Sequence, residues 1–396
     1  MATATSAGTA AAILGTPARA GRAPLRVLFC TDNLGIGGTE LNALRTAEWL
    51  TESGIDVHVA LLGADGPLRA RYAACGIAVH PFPIHSLYGT SALRQGRAFA
   101  AFCRTHRVDI LHCHDVYSNV FGSIWGRAAR VRGIIVSRRW GASHNSGKLR
   151  VANRLAYRLA SRVLANSASV GASLVADEGV AERRVVVVPN FVEPDAFEVP
   201  TPRARADARA AVGVPAGARV VGVVARLDPV KDHATLIRAF ALLAPRFAEA
   251  HLVIAGDGPG RAELESLATG LGLRERIHFA GMLPSRPNPH HWFDVSALAS
   301  LSEGFPNSVV EAMAAARPVV ATDVGGMRDA LTDGETGLLV PAADPAAFAG
   351  ALERLLRDPA AAEAMGRAGR ARAEEHFAAA PVLAGLVSLY AELARR

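Results

Sequence analysis

Short apolar, β-branched runs alternate along the chain with longer stretches in which apolar positions recur every three or four residues. The first round is "LRVLFCTD" (25–32), then "ELNALRTAEWLTESG", then "IDVHVALLG". A run that is apolar on both faces reads as a strand buried on both sides, and the 3.6-residue period between two such runs reads as a covering helix, so the order is βαβ. Further strands are predicted at "GIAVHPFP", "VDILHCHD", "GIIVSRRW", "RVLANS" and "VVVVPN", with helices near 91–106, 118–130 and 148–161. Together these predict a parallel sheet with helices on both faces.

"FVEPDAFEVPTPRARADARAAVGVPAGA" (191–218) then interrupts the rhythm with Pro and Ala and carries no buried-strand run. Strand-like "RVVGVVARL" restarts it, followed by a helix at 233–245, "HLVIAGDG", a helix at 261–271, "IHFAGML", "DVSALAS", a helix at 308–316 and "RPVVATD". The expected organisation is a first domain at 25–195, a linker with a short helix at 196–217, and a second domain at 218–376. The fold class is α/β, with two doubly wound, Rossmann-like domains facing a central cleft. A chain of 396 residues is too long for one ordinary core, which agrees with two domains. Ligands of such folds bind beyond the carboxyl ends of strands, so the informative residues are those just after strands.

Composition narrows the classes. No apolar stretch approaches the roughly 18–20 residues of a transmembrane helix. Residues 1–24 are rich in Ala, Gly and Thr, with an apolar core too short for a signal peptide, and read as a disordered tail. Four cysteines without a CxxC pair suggest neither a disulfide framework nor a zinc ribbon, and a cytoplasmic location fits best. A formal net charge of +7 favours an anionic partner: nucleotide phosphates, anionic lipid head groups or a nucleic acid. The arginines are spread along helical stretches with no block of interleaved aromatics, so a nucleic-acid partner is not expected.

Four stretches follow strands and carry candidate chemistry. "DNLGIGGTE" (32–40) holds Gly35, Gly37 and Gly38 at the opening of a helix, where a ligand can approach the backbone. It is equally readable as a tight turn with Thr39 as N-cap. "LHCHD" (111–115) sends His112 and His114 to one side of a strand end. The pair has no third zinc ligand by spacing, and each histidine is either a cleft residue for a substrate hydroxyl or a core residue. "VVARLDPVKDHATLIRAF" sets Arg226 and Lys231 around a helix start, a pocket for a diphosphate unless Asp228 neutralises it. "IAGDGPGR" has three glycines but not the pyrophosphate fingerprint.

The fullest signal is "SEGFPNSVVEAMAAARPVVATDVGG" (302–326). Pro306 pushes Phe305 toward extended geometry, so a helix is expected to begin after it. Ser308 and Glu311 match the S-x-x-E capping box, which explains Glu311 structurally. Glu303 lies before the helix and has no such local role.

Taken together, these pieces resemble the retaining glycosyltransferases of family 4, which have the GT-B fold. The likeness spans 25–375, and its most specific part is "EGFPNSVVEAMAAARPVVATDVGG", similar to that family's E-x7-E signature. Supporting parts are "GIGGTE", "ARLDPVKD" and "GDGP". The resemblance implies transfer of a sugar from a nucleotide diphosphate sugar to a hydroxyl of a lipid-linked glycan, polysaccharide or small glycoside. The anomeric configuration would be retained, with no metal and no cofactor.

In that family likeness Arg226 and Lys231 hold the diphosphate, Glu303 binds donor-sugar hydroxyls, and Glu311 binds the nucleotide ribose. Gly304, Phe305, Asn307 and Ser308 complete the donor side with backbone amides. His114 matches the histidine near the reacting sugar, and Gly37 and Gly38 let the early loop reach the diphosphate. A last helix, within 377–396, returns to the first domain. "RRW" (138–140) would line the acceptor side. Ala316 and Asp232 stand where glycine is usual, which leaves the local turn shapes open. Two other classes on this fold are a non-hydrolysing nucleotide-sugar epimerase and a silent sugar-nucleotide-binding protein. Peripheral contact with the inner membrane surface is compatible with the basic charge.

Overall fold

The computed structural model describes residues 24–139, 147–283 and 287–395. Trp140 and all of the expected tail except Pro24 lie outside the described residues. The chain divides into two units, one running to Asn190 and resuming at Ala380, the other Phe191–Ala379.

In the first unit, seven parallel strands are β1 (Arg26–Thr31), β2 (Asp56–Leu61), β3 (Ala78–Pro81), β4 (Ile110–Cys113), β5 (Gly133–Arg138), β6 (Arg162–Ala165) and β7 (Val185–Val187). Their order in the sheet is β3-β2-β1-β4-β5-β6-β7. The reversal between β1 and β4 is the doubly wound switch point, beyond whose carboxyl ends such folds place their ligands. The sequence runs predicted as strands all form strands here. Helix Ala379–Ala394 belongs to this unit from Ala380. It is fastened by Tyr390, whose hydroxyl lies 2.6 Å from His112 Nδ1, and by Glu392, whose carboxylate accepts from Arg162 at 3.0 Å.

In the second unit, six parallel strands are β8 (Arg219–Val224), β9 (Ala250–Ala255), β10 (Ile277–Gly281), β11 (Val295–Leu298), β12 (Val319–Thr322) and β13 (Leu338–Val340). Their order is β10-β9-β8-β11-β12-β13, with the switch between β8 and β11. At three residues, β13 is too short for a period to declare it, and the sequence reading missed it. Leu236, Phe240, Leu252, Ile254 and Val320 are fully buried between sheet and helices and form the centre of the core.

The expected linker is corrected. Residues 196–217 lie inside the second unit, and helix Pro202–Ala211 packs onto it. Arg205 and Arg209 reach Asp294 at 2.6 and 2.9 Å. Asp294 also accepts the Val220 amide at 2.8 Å, so it ties the helix to β8. The Ala- and Pro-rich composition looked like a spacer because these ion pairs are long-range.

Candidate functional site

In the second unit the site grows from the turns after β8 and β11. Gly256, at φ 142°, lies so close to Ala225 that a Cβ would overlap its carbonyl, and this holds the "GDGP" loop against the segment that carries Arg226. Arg226 is exposed, and its Nε donates to Asp228 Oδ2 at 2.8 Å. His233 is buried, with Nε2 3.0 Å from the Arg226 carbonyl, so the first residue of helix His233–Leu243 secures that loop. A carbonyl only accepts, which places the proton on Nε2. Burial lowers the proton affinity of this ring and keeps it neutral.

Lys231 ends the 3-10 turn Pro229–Lys231, and Asp232 follows at φ 44°, ψ 48°. That left-handed geometry is the one glycine adopts most easily. Here Asp232 repays part of the strain as N-cap: its carboxylate accepts the Thr235 amide at 3.2 Å and the Thr235 hydroxyl at 2.6 Å. The turn that the aspartate left open therefore has the glycine shape. Lys231 stands directly before a helix N-terminus, where amides and dipole favour an anion.

Beyond β11, the Leu301 amide donates to the Val230 carbonyl at 2.8 Å and docks this loop on the Pro229–Lys231 turn. Glu303 Oε1 then receives two hydrogen bonds, from Lys231 Nζ at 2.5 Å and from the Ser300 hydroxyl at 2.6 Å. Gly325 and Gly326 hold Glu303 from the other side. The Gly326 amide donates to the Glu303 carbonyl at 3.1 Å, and Gly325, at φ 51°, sits where a Cβ would overlap that carbonyl. Gly304 adjoins this loop, while Phe305 packs its ring in the core, 5.5 Å from that of Phe377, so its side chain is not at the surface of the site.

The capping box is corrected. Helix Asn307–Ala314 opens at Asn307 with Pro306 as N-cap and no side-chain cap. Ser308 is inside the first turn, and its hydroxyl lies 3.2 Å from His290 Nε2. His290 Nδ1 meets the Ser296 hydroxyl at 2.9 Å. Burial, with His291 adding to it, pushes the His290 imidazole down to about 3. A neutral ring thus bridges β11 to the helix. The Glu311 backbone is fixed by Asn288, whose Nδ2 donates to its carbonyl at 2.8 Å. A local signal, S-x-x-E, lost to a tertiary partner that the stretch itself does not contain.

In the first unit, helix Gly38–Glu52 begins with Gly37 as N-cap and no side-chain cap, so Thr39 is not the cap. Asn33 organises the glycine turn: Oδ1 accepts the Gly35 amide at 2.8 Å and Nδ2 donates to Glu40 at 3.0 Å. Asp32 accepts the Tyr117 and Ser118 amides at 3.0 and 2.7 Å at the start of helix Val116–Ala128. Burial first, then Asp32 and Glu40, push the Asp115 carboxyl up to about 7.

The two histidines of "LHCHD" separate into different roles. His112 is buried with both nitrogens engaged, Nδ1 by Tyr390 and Nε2 by the Ser137 hydroxyl at 2.8 Å. It is a core residue. His114 is equally buried, its ring 4.2 Å from that of His112 and 4.5 Å from that of Phe29. Neither of its nitrogens has a hydrogen-bond partner among the described residues. Burial, then His112 and Arg139, hold its proton affinity well below the ordinary histidine range, so the ring is neutral. An unpaired buried imidazole is costly, and such groups concentrate where a ligand is met.

The acceptor-side expectation is corrected for Arg138. Arg138 is buried in an ion pair with Glu178 at 3.3 Å. Arg139 is half-buried and donates to Asn42 at 2.6 Å and Asn190 at 2.8 Å. Sequence reasoning passed over His233, Ser300 and Gly325. Only the last carried a visible signal, as half of the glycine pair closing "ATDVGG".

Two family models match successive parts of the chain, one described as "Glycosyltransferase Family 4" over residues 36–196 and one as "Glycosyl transferases group 1" over residues 204–372. Among curated proteins, a D-inositol 3-phosphate glycosyltransferase of Kribbella flavida is 38% identical over 53% of this chain and 51% of its own. A 2-deoxystreptamine glucosyltransferase of Streptomyces kanamyceticus is 34% identical over 57% of this chain and 58% of its own. The chain thus spans about half the length of these curated relatives. Among solved structures, Anabaena HepE in complex with UDP-glucose is 25% identical, with a TM-score of 0.81 over 92% of this chain and 98% of its own. A glycosyltransferase from Rickettsia africae is 18% identical, with a TM-score of 0.83 over 93% of this chain and 98% of its own.

Proposed function

Because the chain belongs to glycosyltransferase family 4 and has the GT-B fold, we propose that it transfers a sugar from a nucleotide diphosphate sugar to a hydroxyl acceptor with retention of configuration. The observation that carries this reading is the Lys231–Glu303 pair, a cation and a carboxylate held 2.5 Å apart beside a helix N-terminus after two adjacent strands. Lys231, Arg226 and the helix amides receive the diphosphate. As the bond from the anomeric carbon to the phosphate oxygen breaks, these groups stabilise the charge gathering on that oxygen. Glu303 binds sugar hydroxyls through its carboxylate, and Glu311 binds the ribose. Asn307, Ser308 and Gly304 line the donor, with Phe305 contributing backbone only.

In this reading His114 of the first unit, neutral and unpaired, accepts from or donates to a hydroxyl of the reacting sugar, and Gly37 and Gly38 admit the diphosphate side of the donor. The acceptor oxygen forms its bond on the face that the phosphate leaves, and its proton passes to the departing phosphate oxygen. That step uses no metal. Two of the relatives above are described by acceptors that are polyhydroxylated six-membered carbocycles, inositol phosphate and 2-deoxystreptamine, which supports a small cyclitol or glycoside as acceptor here. The complex of HepE with UDP-glucose supports a uridine diphosphate sugar as donor. The cysteine usage supports a cytoplasmic location, and the net charge of +7 supports peripheral contact with an anionic membrane. No helix among the described residues is long and apolar enough to cross a membrane.

The test is a thermal-shift panel of nucleotide diphosphate sugars, followed by product analysis with inositol phosphate and aminocyclitol acceptors. A donor at a hundred times its Kd raises stability by about 2.7 kcal/mol. A new glycoside with the donor's anomeric configuration is expected. An isomerised donor without transfer would instead identify an epimerase, and donor binding without any turnover a silent binder.

A further inference from the structure

Three successive helices of the first unit, Thr90–Thr105, Val116–Ala128 and Gly147–Leu159, contain no aspartate or glutamate. They pack side by side. The rings of Phe99 and Phe121 meet at 5.4 Å between the first two, and Asn119 donates to Asn153 at 3.4 Å between the second and third. Their outward positions carry exposed cations, among them Arg94, Arg97, Arg127, Lys148, Arg150 and Arg158. Between these stand exposed aliphatic side chains: Leu93, Ile124, Val151 at 65% and Leu155 at 48% of full exposure. Val151 and Leu155 are one helical turn apart and share a face. By contrast, helix Gly38–Glu52 of the same unit carries Glu40, Glu48 and Glu52.

Among the described residues the positive charge is poorly compensated locally. At the lower end of the layer, Arg127 donates to the Leu159 carbonyl at 2.7 Å and Arg184 to that of Arg158 at 3.1 Å. Burial, and after it Arg127, Arg183 and Arg162, lower the Arg184 proton affinity, as expected where like charges crowd. Among the described residues, Glu178 reaches the layer and pairs with Arg154 at 3.0 Å, but it is shared with buried Arg138.

We infer that this three-helix layer is a docking face for an anionic lipid bilayer, seating its cations on phosphate head groups and its aliphatic side chains among the acyl-chain ends. The inference rests on the peripheral membrane contact proposed above and names the surface that makes it. Cations interleaved with exposed aliphatic residues on a helix face are the composition of interfacial helices. A second copy of the same face would oppose arginine to arginine. Nucleic acid would reward aromatic rings that stack on bases, whereas the residues between these cations are mainly branched aliphatic chains.

The test is flotation of the full-length protein with vesicles of phosphatidylglycerol and phosphatidylcholine in equal parts, beside vesicles of phosphatidylcholine alone. Binding to the anionic vesicles only is expected. The double variant Arg97→Glu/Arg150→Glu should bind these vesicles at least about tenfold more weakly, since each cation near an anionic surface contributes several-fold. Val151→Asp/Leu155→Asp should weaken binding similarly, while Arg203→Glu, an exposed arginine of the second unit, should not. Unfolding midpoints check that each variant is folded, and nucleotide-sugar titrations check the donor site separately, so loss of docking and loss of the proposed activity are distinguishable. No flotation of the wild type, equal flotation of wild type and layer variants, or duplex DNA held as tightly as the anionic vesicles would each overturn the assignment.

Discussion

The ammonium of Lys231 sits 2.5 Å from Glu303 Oε1, joining the turn after β8 to the loop after β11. The two side chains order each other before any donor arrives, and a diphosphate would draw the ammonium toward itself while leaving Ser300 to hold the carboxylate. Lys231→Ala is expected to reduce kcat/KM by roughly 10²–10³, the loss typical when one charge-stabilising donor is removed. It also leaves a half-buried carboxylate without its cation, at about 1–3 kcal/mol of stability. Transfer kinetics beside a denaturant midpoint separate the two effects. A folded variant with unchanged turnover would remove Lys231 from the site.

Gly325 is the support that the site cannot replace. At φ 51° it occupies the left-handed region, and a Cβ there would overlap the Glu303 carbonyl. Gly325→Ala must therefore shift the 302–304 loop or its own turn, at a cost of roughly 2–4 kcal/mol, in the range of substitutions at special backbone positions. Donor affinity measured by calorimetry should fall at least about tenfold even under conditions where the variant is folded, because small displacements of positioning groups cost that much or more. Unchanged affinity would show that Glu303 keeps its place without the glycine.

The strands were legible because buried parallel strands are apolar on both faces, and this is written locally in runs such as "RVLFC" and "HLVIA". The sheet orders were not, since pairing β1 with β4 or β8 with β11 depends on contacts far apart in the chain. The site followed the same division. Lys231 and Glu303 were nominated singly, by position after strands and by family likeness, but their mutual contact needed the fold. The Ser308 cap failed because His290 took the hydroxyl, and Arg138 failed as a surface residue because Glu178 holds it inside.

His114 gives a pH signature. Burial keeps its ring neutral in the folded protein well below the ordinary histidine pKa. The unfolded chain takes up a proton near pH 6.5, so the stability associated with His114 is complete above that pH and is lost as pH falls below it. The slope per such histidine is about 1.4 kcal/mol per pH unit. Asp115, pushed up to about 7, acts in the opposite sense, losing stability as pH rises from the ordinary aspartate range through 7. The comparison is therefore between wild type and His114→Phe: denaturant midpoints measured from pH 7.5 down to pH 5 should fall less steeply in the variant. Parallel profiles would show that the folded ring titrates normally.

Ala316 follows helix Asn307–Ala314 at φ 55°, in the left-handed region that glycine adopts most easily. An alanine held there carries roughly 1 kcal/mol of steric strain. Ala316→Gly relieves it but adds freedom to the unfolded chain, so a net gain of about 0.5 kcal/mol is expected. The gain should appear in the unfolding midpoint with donor affinity unchanged. A loss of stability would mean that neighbouring contacts, not backbone geometry, select alanine.

Glu311 decides how the signature stretch is used. A carboxylate three residues after a serine cap is needed by the helix, and its removal would lower stability by about 1 kcal/mol. The helix instead opens at Asn307 without a side-chain cap, and Asn288 fixes the Glu311 carbonyl rather than its carboxylate. Glu311→Gln therefore removes no helix cap, and its unfolding midpoint measured beside its nucleotide affinity separates the two roles. If the carboxylate binds the ribose, the same variant should bind a nucleotide diphosphate roughly tenfold more weakly, since a charge-assisted hydrogen bond contributes about 1.5–3 kcal/mol. The ribose assignment has its own control: the corresponding dideoxyribose nucleotide should bind wild type and variant alike. If the variant instead loses stability and keeps its nucleotide affinity, the glutamate belongs to the helix and the ribose is held elsewhere.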